Sequence, residues 1–158
     1  MAASSKVTTE KFNKKNERHL QAVKYIEEHL RPIDKKELQG AYTSVTKCAM
    51  HEFCDNFLAF GENGEPIAIY GITKCPVNGY HIVWMVGTTK LKNYKKELIT
   101  MGLDEIGRFI KEYGPVTNYI STDNEASRRW LKRAGAVFDA PFNENAVTWQ
   151  QFVIGRNE

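Results

Sequence analysis

The chain has 158 residues, the size of one domain, 1–158, with room for a sizeable core. Its 42% hydrophobic and 26% charged residues are ordinary for a globular protein, and a net charge of +3 is too small for a dedicated nucleic-acid binder. No apolar run reaches membrane-spanning length, no signal-peptide core opens the chain, and three cysteines are an odd number for a disulfide framework, so a cytoplasmic protein is expected.

Residues Met1 to Lys6 are small and polar and are expected to fray, and Lys6 to Thr9 suits a short first strand. From Lys14 to Leu30 the apolar positions Leu20, Val23, Ile26 and Leu30 recur at helical spacing until Pro32 interrupts. Asp34 with Glu37 three residues on reads as the start of a second helix, with Leu38, Ala41, Tyr42 and Val45 on its buried side. A further helical turn is predicted over Lys47 to Cys54. Asn56 to Phe60 and Pro66 to Ile72 read as strands joined by the hairpin Gly61-Glu62-Asn63-Gly64-Glu65. Gly79 to Gly87 is the most apolar strand and is expected at the centre of the sheet. Asn93 to Tyr113 is a long amphipathic helix, with Tyr94, Leu98, Met101, Ile106, Phe109 and Ile110 inward and Gly114-Pro115 as its stop.

Val116 to Ile120 is again strand-like. Thr122 and Glu125 stand three apart, as in a capping box, so a helix is predicted to begin at Thr122 to Asn124. Ala126, Trp130 and Leu131 form its apolar stripe, Arg128, Arg129, Lys132 and Arg133 fill its other faces, and Gly135 stops it. Its N-terminus opens at the carboxyl end of a strand, where unpaired N–H groups favour an anion. Ala136 to Phe138 is a strand tip. Thr148 to Ile154 is the last strand, reached through an irregular loop containing Pro141.

The Val116–Phe138 segment resembles the end of the GNAT fold of acyl-CoA-dependent N-acyltransferases, with Asn124 eleven residues before Gly135 as in that family. Two residues depart from its pattern. Ala136 replaces the usual Phe, and Leu131 stands where a Tyr often serves as general acid. The element order matches the GNAT order throughout. The resemblance implies an α+β fold, with a mixed, mostly antiparallel central sheet of six to seven strands and helices on both faces. The run Leu30-Arg31-Pro32-Ile33-Asp34-Lys35-Lys36-Glu37-Leu38 further resembles an LRxxDxxEL signature of small phage GNAT-like proteins, the internal virion protein A family. Gly64, Pro66, Ala68 and Gly71 match that family's GxPxAxxG strand. Trp84 matches its next strand, and Asn124, Trp130, Leu131, Lys132 and Gly135 its late helix.

By resemblance, the pantetheine of acetyl-CoA lies between the fourth and fifth strands, against Trp84, Met85 and Val86, with Asn124 and Ser127 at the next helix start. The pyrophosphate belongs at Thr88-Thr89-Lys90-Leu91-Lys92-Asn93, a run without glycine. There Thr88, Thr89, Lys90 and Lys92 replace a backbone cradle with side chains. Acyl transfer needs a base and an acid. His81, Asp123 and Glu52 are the candidate bases, with a structural His and a cap residue as the competing roles of the first two, and Tyr113 and Tyr119 are possible acids. Cys48, His51 and Cys54 stand three apart, as if on one helix face with Cys75 as a fourth ligand. Structural zinc sites use tighter Cys-x-x-Cys pairs, so buried thiols and no metal are expected.

Two functions follow from the resemblance. One is an acetyl-CoA-dependent N-acetyltransferase acting on an amine of a small molecule or a host protein, in the host cytoplasm. The other is a GNAT-fold phage protein without turnover, serving as a virion component or binding a host protein. An open cleft between the fourth and fifth strands separates them, because a scaffold can fill it with Trp84 or Tyr119. Nucleic-acid binding rests on the basic clusters at Lys6–Arg18, Lys90–Lys96 and Arg128–Arg133 alone, and solvated faces are the preferred explanation of these, so no nucleic-acid partner is expected.

Overall fold

Alternating strands and helical stripes fold into one eight-stranded sheet covered on both faces, in a computed structural model that describes residues 6–155. The elements are β1 (Thr8–Lys11), α1 (Glu17–Glu28), α2 (Pro32–Gly40), α3 (Val45–Ala49), β2 (Cys54–Phe60), β3 (Pro66–Thr73) and β4 (His81–Gly87). A 3-10 helix (Thr89–Tyr94) then leads into α4 (Lys95–Tyr113), β5 (Val116–Ser121), α5 (Glu125–Arg133), β6 (Val137–Phe138), β7 (Phe142–Glu144) and β8 (Val147–Ile154). β1 to β4 are antiparallel neighbours in sequence order, β4 and β5 are parallel, and β5 pairs antiparallel with β8. β6 and β7 lie end to end along the outer edge of β8.

Strand alternation sends apolar side chains to both faces of the sheet, where they form two large clusters and a smaller one around Ala59, Ile67, Leu91 and Tyr94. Leu58, Phe60, Ile69 and Val86 face α1, α2 and α3 through Ala22, Val23, Ile26, Leu38, Val45 and Ala49. Tyr70, Ile72, Val83, Val116, Ile120, Phe152 and Ile154 face α4 and α5 through Ile106, Phe109 and Leu131. Ile26, Leu58 and Ile69 have no exposed surface, and burial at each stabilises the fold by about 2 kcal/mol. Gly71 is needed for close approach, since a Cβ there would lie 2.0 Å from Asn56 Oδ1 and 2.6 Å from Trp84 Nε1.

Several expectations are corrected. The first strand lies at Thr8–Lys11, and the frayed stretch lies outside the described residues except for Lys6. Pro32 starts the second helix, because its fixed φ and missing N–H suit the first helical position. Asp34 is therefore inside the first turn and does not cap it, while Ala41 and Tyr42 lie beyond the helix and are exposed. The third helix is Val45–Ala49, not Lys47–Cys54. The Gly-free run before α4 is helical, with Leu91 and Tyr94 buried. Asn124, not Thr122, caps α5, and Ala126 is exposed. The loop with Pro141 contains β7, an eighth strand beyond the six or seven expected.

Candidate active site

β4 and β5 form a fork. They pair only at His81–Val116 and Ile82–Thr117. The Asn118 side-chain amide then donates to the Val83 carbonyl at 2.6 Å, and the strands part beyond this bridge. The β4 backbone alternates in direction, and its register with β3 is unbroken from Val83 to Gly87. The His81 N–H donates to the Pro115 carbonyl at 3.2 Å, and the Gly87 N–H donates to Asp34 Oδ2 at 2.9 Å. His81, Val83 and Gly87 thus turn their backbone groups away from β3. Met85 has the same parity, so its N–H and C=O point into the open fork. Trp84 and Val86 have the opposite parity and turn their backbone groups toward β3.

Neither large side chain fills the gap. The Trp84 indole leans over Gly71 of β3, on the far side of β4 from β5, and packs against the α1–α3 core. Tyr119 is 49% exposed and leans toward β7, edge-on to Phe142 with ring centroids 5.6 Å apart.

One turn of α2 spans the mouth of this fork. Asp34 is buried; its Oδ2 accepts from Gly87 N–H and from Arg31 Nε at 2.7 Å, and its Oδ1 accepts from Arg31 Nη2 at 3.0 Å. The Arg31 N–H donates to the Gly87 carbonyl at 2.9 Å, so both backbone groups that end β4 are held by the start of α2. Three residues on, the same helix face presents Glu37 to the end of β5. Asn124 Nδ2 donates to Glu37 Oε1 at 2.6 Å, while Asn124 Oδ1 accepts the Ser127 N–H at 3.3 Å. Asn124 is buried and uses both ends of its amide, one as helix cap and one as donor to Glu37. Burial pushes the Glu37 carboxyl up to about 7. Asp34 adds to the rise, whereas the Asn124 amide, the Ser121 backbone and Arg31 oppose it. Sequence reasoning passed over Glu37 as a chemical group. The available signal was the LRxxDxxEL run, whose two acids lie one turn apart on a helix.

The other expected residues are dispersed. His81 is buried at the closed end of the fork, with Nδ1 2.6 Å from the Thr73 carbonyl and its ring 5.2 Å from that of Tyr113. It lies four residues from Met85, about 13 Å along a strand. Asp123 is exposed and pairs with Lys36 Nζ at 2.7 Å. Glu52 is exposed in the loop before β2. The Tyr113 hydroxyl donates to Asp55 at 2.8 Å, and that carboxylate, with burial, pushes the phenol up to about 12. Thr88 is buried and caps the 3-10 helix by accepting the Lys90 N–H at 3.2 Å, while Thr89 and Lys92 are exposed. Lys90 Nζ sits 4.9 Å from the centre of the Tyr25 ring on α1.

Cys48 lies on α3, but His51 and Cys54 lie beyond its end, so the three do not share a helix face. Burial pushes the thiols of Cys48 and Cys54 up, and Cys75 is exposed. Among the described residues no group of three or more His, Cys, Asp or Glu is gathered for a metal, and no helix is long and apolar enough to cross a membrane. Two surface depressions lie elsewhere. One of about 540 Å³ lies between β1 and α4, around Val7, Lys96 and Met101, and one of about 220 Å³ lies beside α5, around Arg128, Lys132 and Phe138. Neither includes a fork residue; the fork is defined by its unpaired strands rather than by a deep hollow.

Solved structures that share this architecture include several N-acetyltransferases. A spermidine N-acetyltransferase SpeG chimera from Vibrio cholerae and hSSAT has a TM-score of 0.67 at 12% identity, over 95% of each chain. The ribosomal-protein-S18-alanine N-acetyltransferase from Escherichia coli has a TM-score of 0.61 at 12% identity, over 94% of this chain and 92% of that one. Campylobacter jejuni N-acetyltransferase PseH in complex with acetyl coenzyme A has a TM-score of 0.58 at 12% identity, over 96% and 99%. No family model matches the chain, and no curated protein matches it by sequence. The fold is the GNAT fold.

Proposed function

We propose that this protein is an acetyl-CoA-dependent N-acetyltransferase that modifies an amine on a protein or small molecule. The observation that carries this reading is the open fork: Met85 turns its N–H and C=O into it, and both Trp84 and Tyr119 lean away from it. Those two groups suit the amides of a pantetheine arm, and the N–H suits a thioester oxygen as charge develops on it. Asn124 and Ser127, at the start of α5, are the residues that would hold the arm on the β5 side. The phosphates fit less well. The glycine cradle is replaced by the capped 3-10 helix, so exposed Lys92, Lys95 and Lys96 supply charge from their side chains. When bound, acetyl-CoA supplies the activated acyl group, and the chain's own residues orient the amine and manage its protons.

The test is a calorimetric titration with acetyl-CoA. The expected result is micromolar binding that weakens in Asn124→Ala. No heat and no thermal stabilisation at millimolar acetyl-CoA overturns the reading.

The second reading is a GNAT-fold phage protein without turnover, a virion component or a binder of a host protein. Two features favour it. One is the sealed 3-10 helix, with Leu91 packed onto Gly87. The other is the likeness of Leu30–Leu38 to the phage signature, on which the phage source and the host-cell or virion setting also rest.

A further inference from the structure

We propose that Glu37 is the general base of the acetyl transfer, receiving a proton from an amine that enters the fork from the α1–α3 face, with Asn124 as its positioning residue. The proposal rests on the acetyltransferase reading above.

α2 is fastened to both prongs, at Gly87 of β4 through Asp34 and at the β5–α5 turn through Glu37. A carboxylate on that one turn stands at the mouth of the gap into which Met85 directs its backbone. Asp34 cannot serve, because its two oxygens hold Gly87 and the Arg31 guanidinium. Glu37 takes only amide donors, from Asn124 and the backbone of Ser121. Among the described residues no cation forms an ion pair with it, since Arg31 is bound to Asp34 and Lys36 to Asp123. The charged groups that bear on it are Asp34 of its own helix and Arg31 at that helix's N-cap, and the contact from the β5–α5 turn is neutral. Its burial places its titration near neutrality, where a base is most effective.

The proton balance is complete. An ammonium acceptor loses one proton to the Glu37 carboxylate. Its nitrogen bonds to the acyl carbon as the carbon–sulfur bond breaks, and a second proton passes to the departing thiolate. The products are the amide, the free thiol and protonated Glu37, which returns its proton to water.

Three measurements test this on the full chain. In the unliganded protein, carbon-detected NMR should show one Glu carboxyl titrating near pH 7, absent from Glu37→Gln. With spermidine, a lysine peptide and a peptide with N-terminal alanine as probe amines, kcat/KM should rise through about pH 7. Glu37→Gln should lose that limb and about 100-fold or more in rate, the usual range for a lost base. The variant should still bind acetyl-CoA calorimetrically as the wild type does, because Gln can accept the same Asn124 bond. An ordinary Glu37 titration, or wild-type turnover with the limb intact in Glu37→Gln, overturns the base role and leaves the acetyltransferase reading standing. Wild-type protein that binds no acetyl-CoA, or binds it and acetylates no probe, overturns both.

Discussion

After β4 the chain turns into a helix through Thr88, and after β5 it does so through Asn124, yet the two junctions are built from opposite materials. At the first, Thr88 satisfies the helix start with its own hydroxyl, and Leu91 packs so tightly that a Cβ on Gly87 would lie 2.2 Å from its Cδ1. Charge there resides on flexible, exposed lysines. At the second, a buried Asn divides its amide between the helix start and a carboxylate whose titration is drawn toward neutrality. The contrast teaches that a strand-to-helix turn is not an anion site by topology alone. The side chains that seal it decide whether backbone dipoles remain to be used. On this fold the first junction offers adjustable attraction, and the second offers fixed geometry.

The contrast can be broken from either side. The largest effect is expected at the clamp shared by both junctions. Asp34→Ala leaves Gly87 N–H and Arg31 without their acceptor and should lower stability in urea unfolding by about 3 kcal/mol. Next comes the pH dependence of stability. The folded Glu37 carboxyl lies at about 7, above its unfolded value of 4.5, so the fold favours its protonated form. That contribution is complete below pH 4.5 and is lost as pH rises through 7, a decline of up to about 3 kcal/mol that Glu37→Gln should abolish. Asn124→Ala sharpens the second junction. It removes a helix cap, at about 1 kcal/mol, and takes from Glu37 a hydrogen bond that lowers its pKa, so the carboxyl titration should move further up by NMR. The smallest effect belongs to the first junction. Replacing Lys92 and Lys95 together by Ala should weaken acetyl-CoA binding about 2- to 5-fold in low salt and flatten its salt dependence, without shifting the Glu37 titration.

Much of the fold was legible because apolar spacing is a strong signal. The β2–β3 hairpin, the central position of β4, the long α4 and the α5 stop at Gly135 follow from it. Pro32 was misread as a stop because the same ring that ends one helix begins another, and only packing distinguishes them. Ala126 looked apolar but faces water, since α5 buries a narrow stripe centred on Leu131. The short β7 has no run long enough to register and exists because Val147 to Trp149 of β8 offer it a partner. Within the site, resemblance drew attention to Asn124 and to Trp84, Met85 and Val86; of that strand stretch only Met85 has the parity that turns its backbone into the fork, and Asn124 is the cap of α5 and a donor to Glu37. The Glu37–Asn124 bond was not legible, because it joins residues 87 apart in sequence, and Glu37 owes its altered acidity to burial that spacing does not reveal.

The rims of the sheet carry a different consequence. One outer strand, β1, has four residues and ends in Lys11. The other rim is divided between two-residue β6 and three-residue β7, with Pro141 between them. Neither offers a long uninterrupted row of unpaired amides to a second sheet. Short, interrupted rims of this kind give a second sheet no continuous template on which to extend.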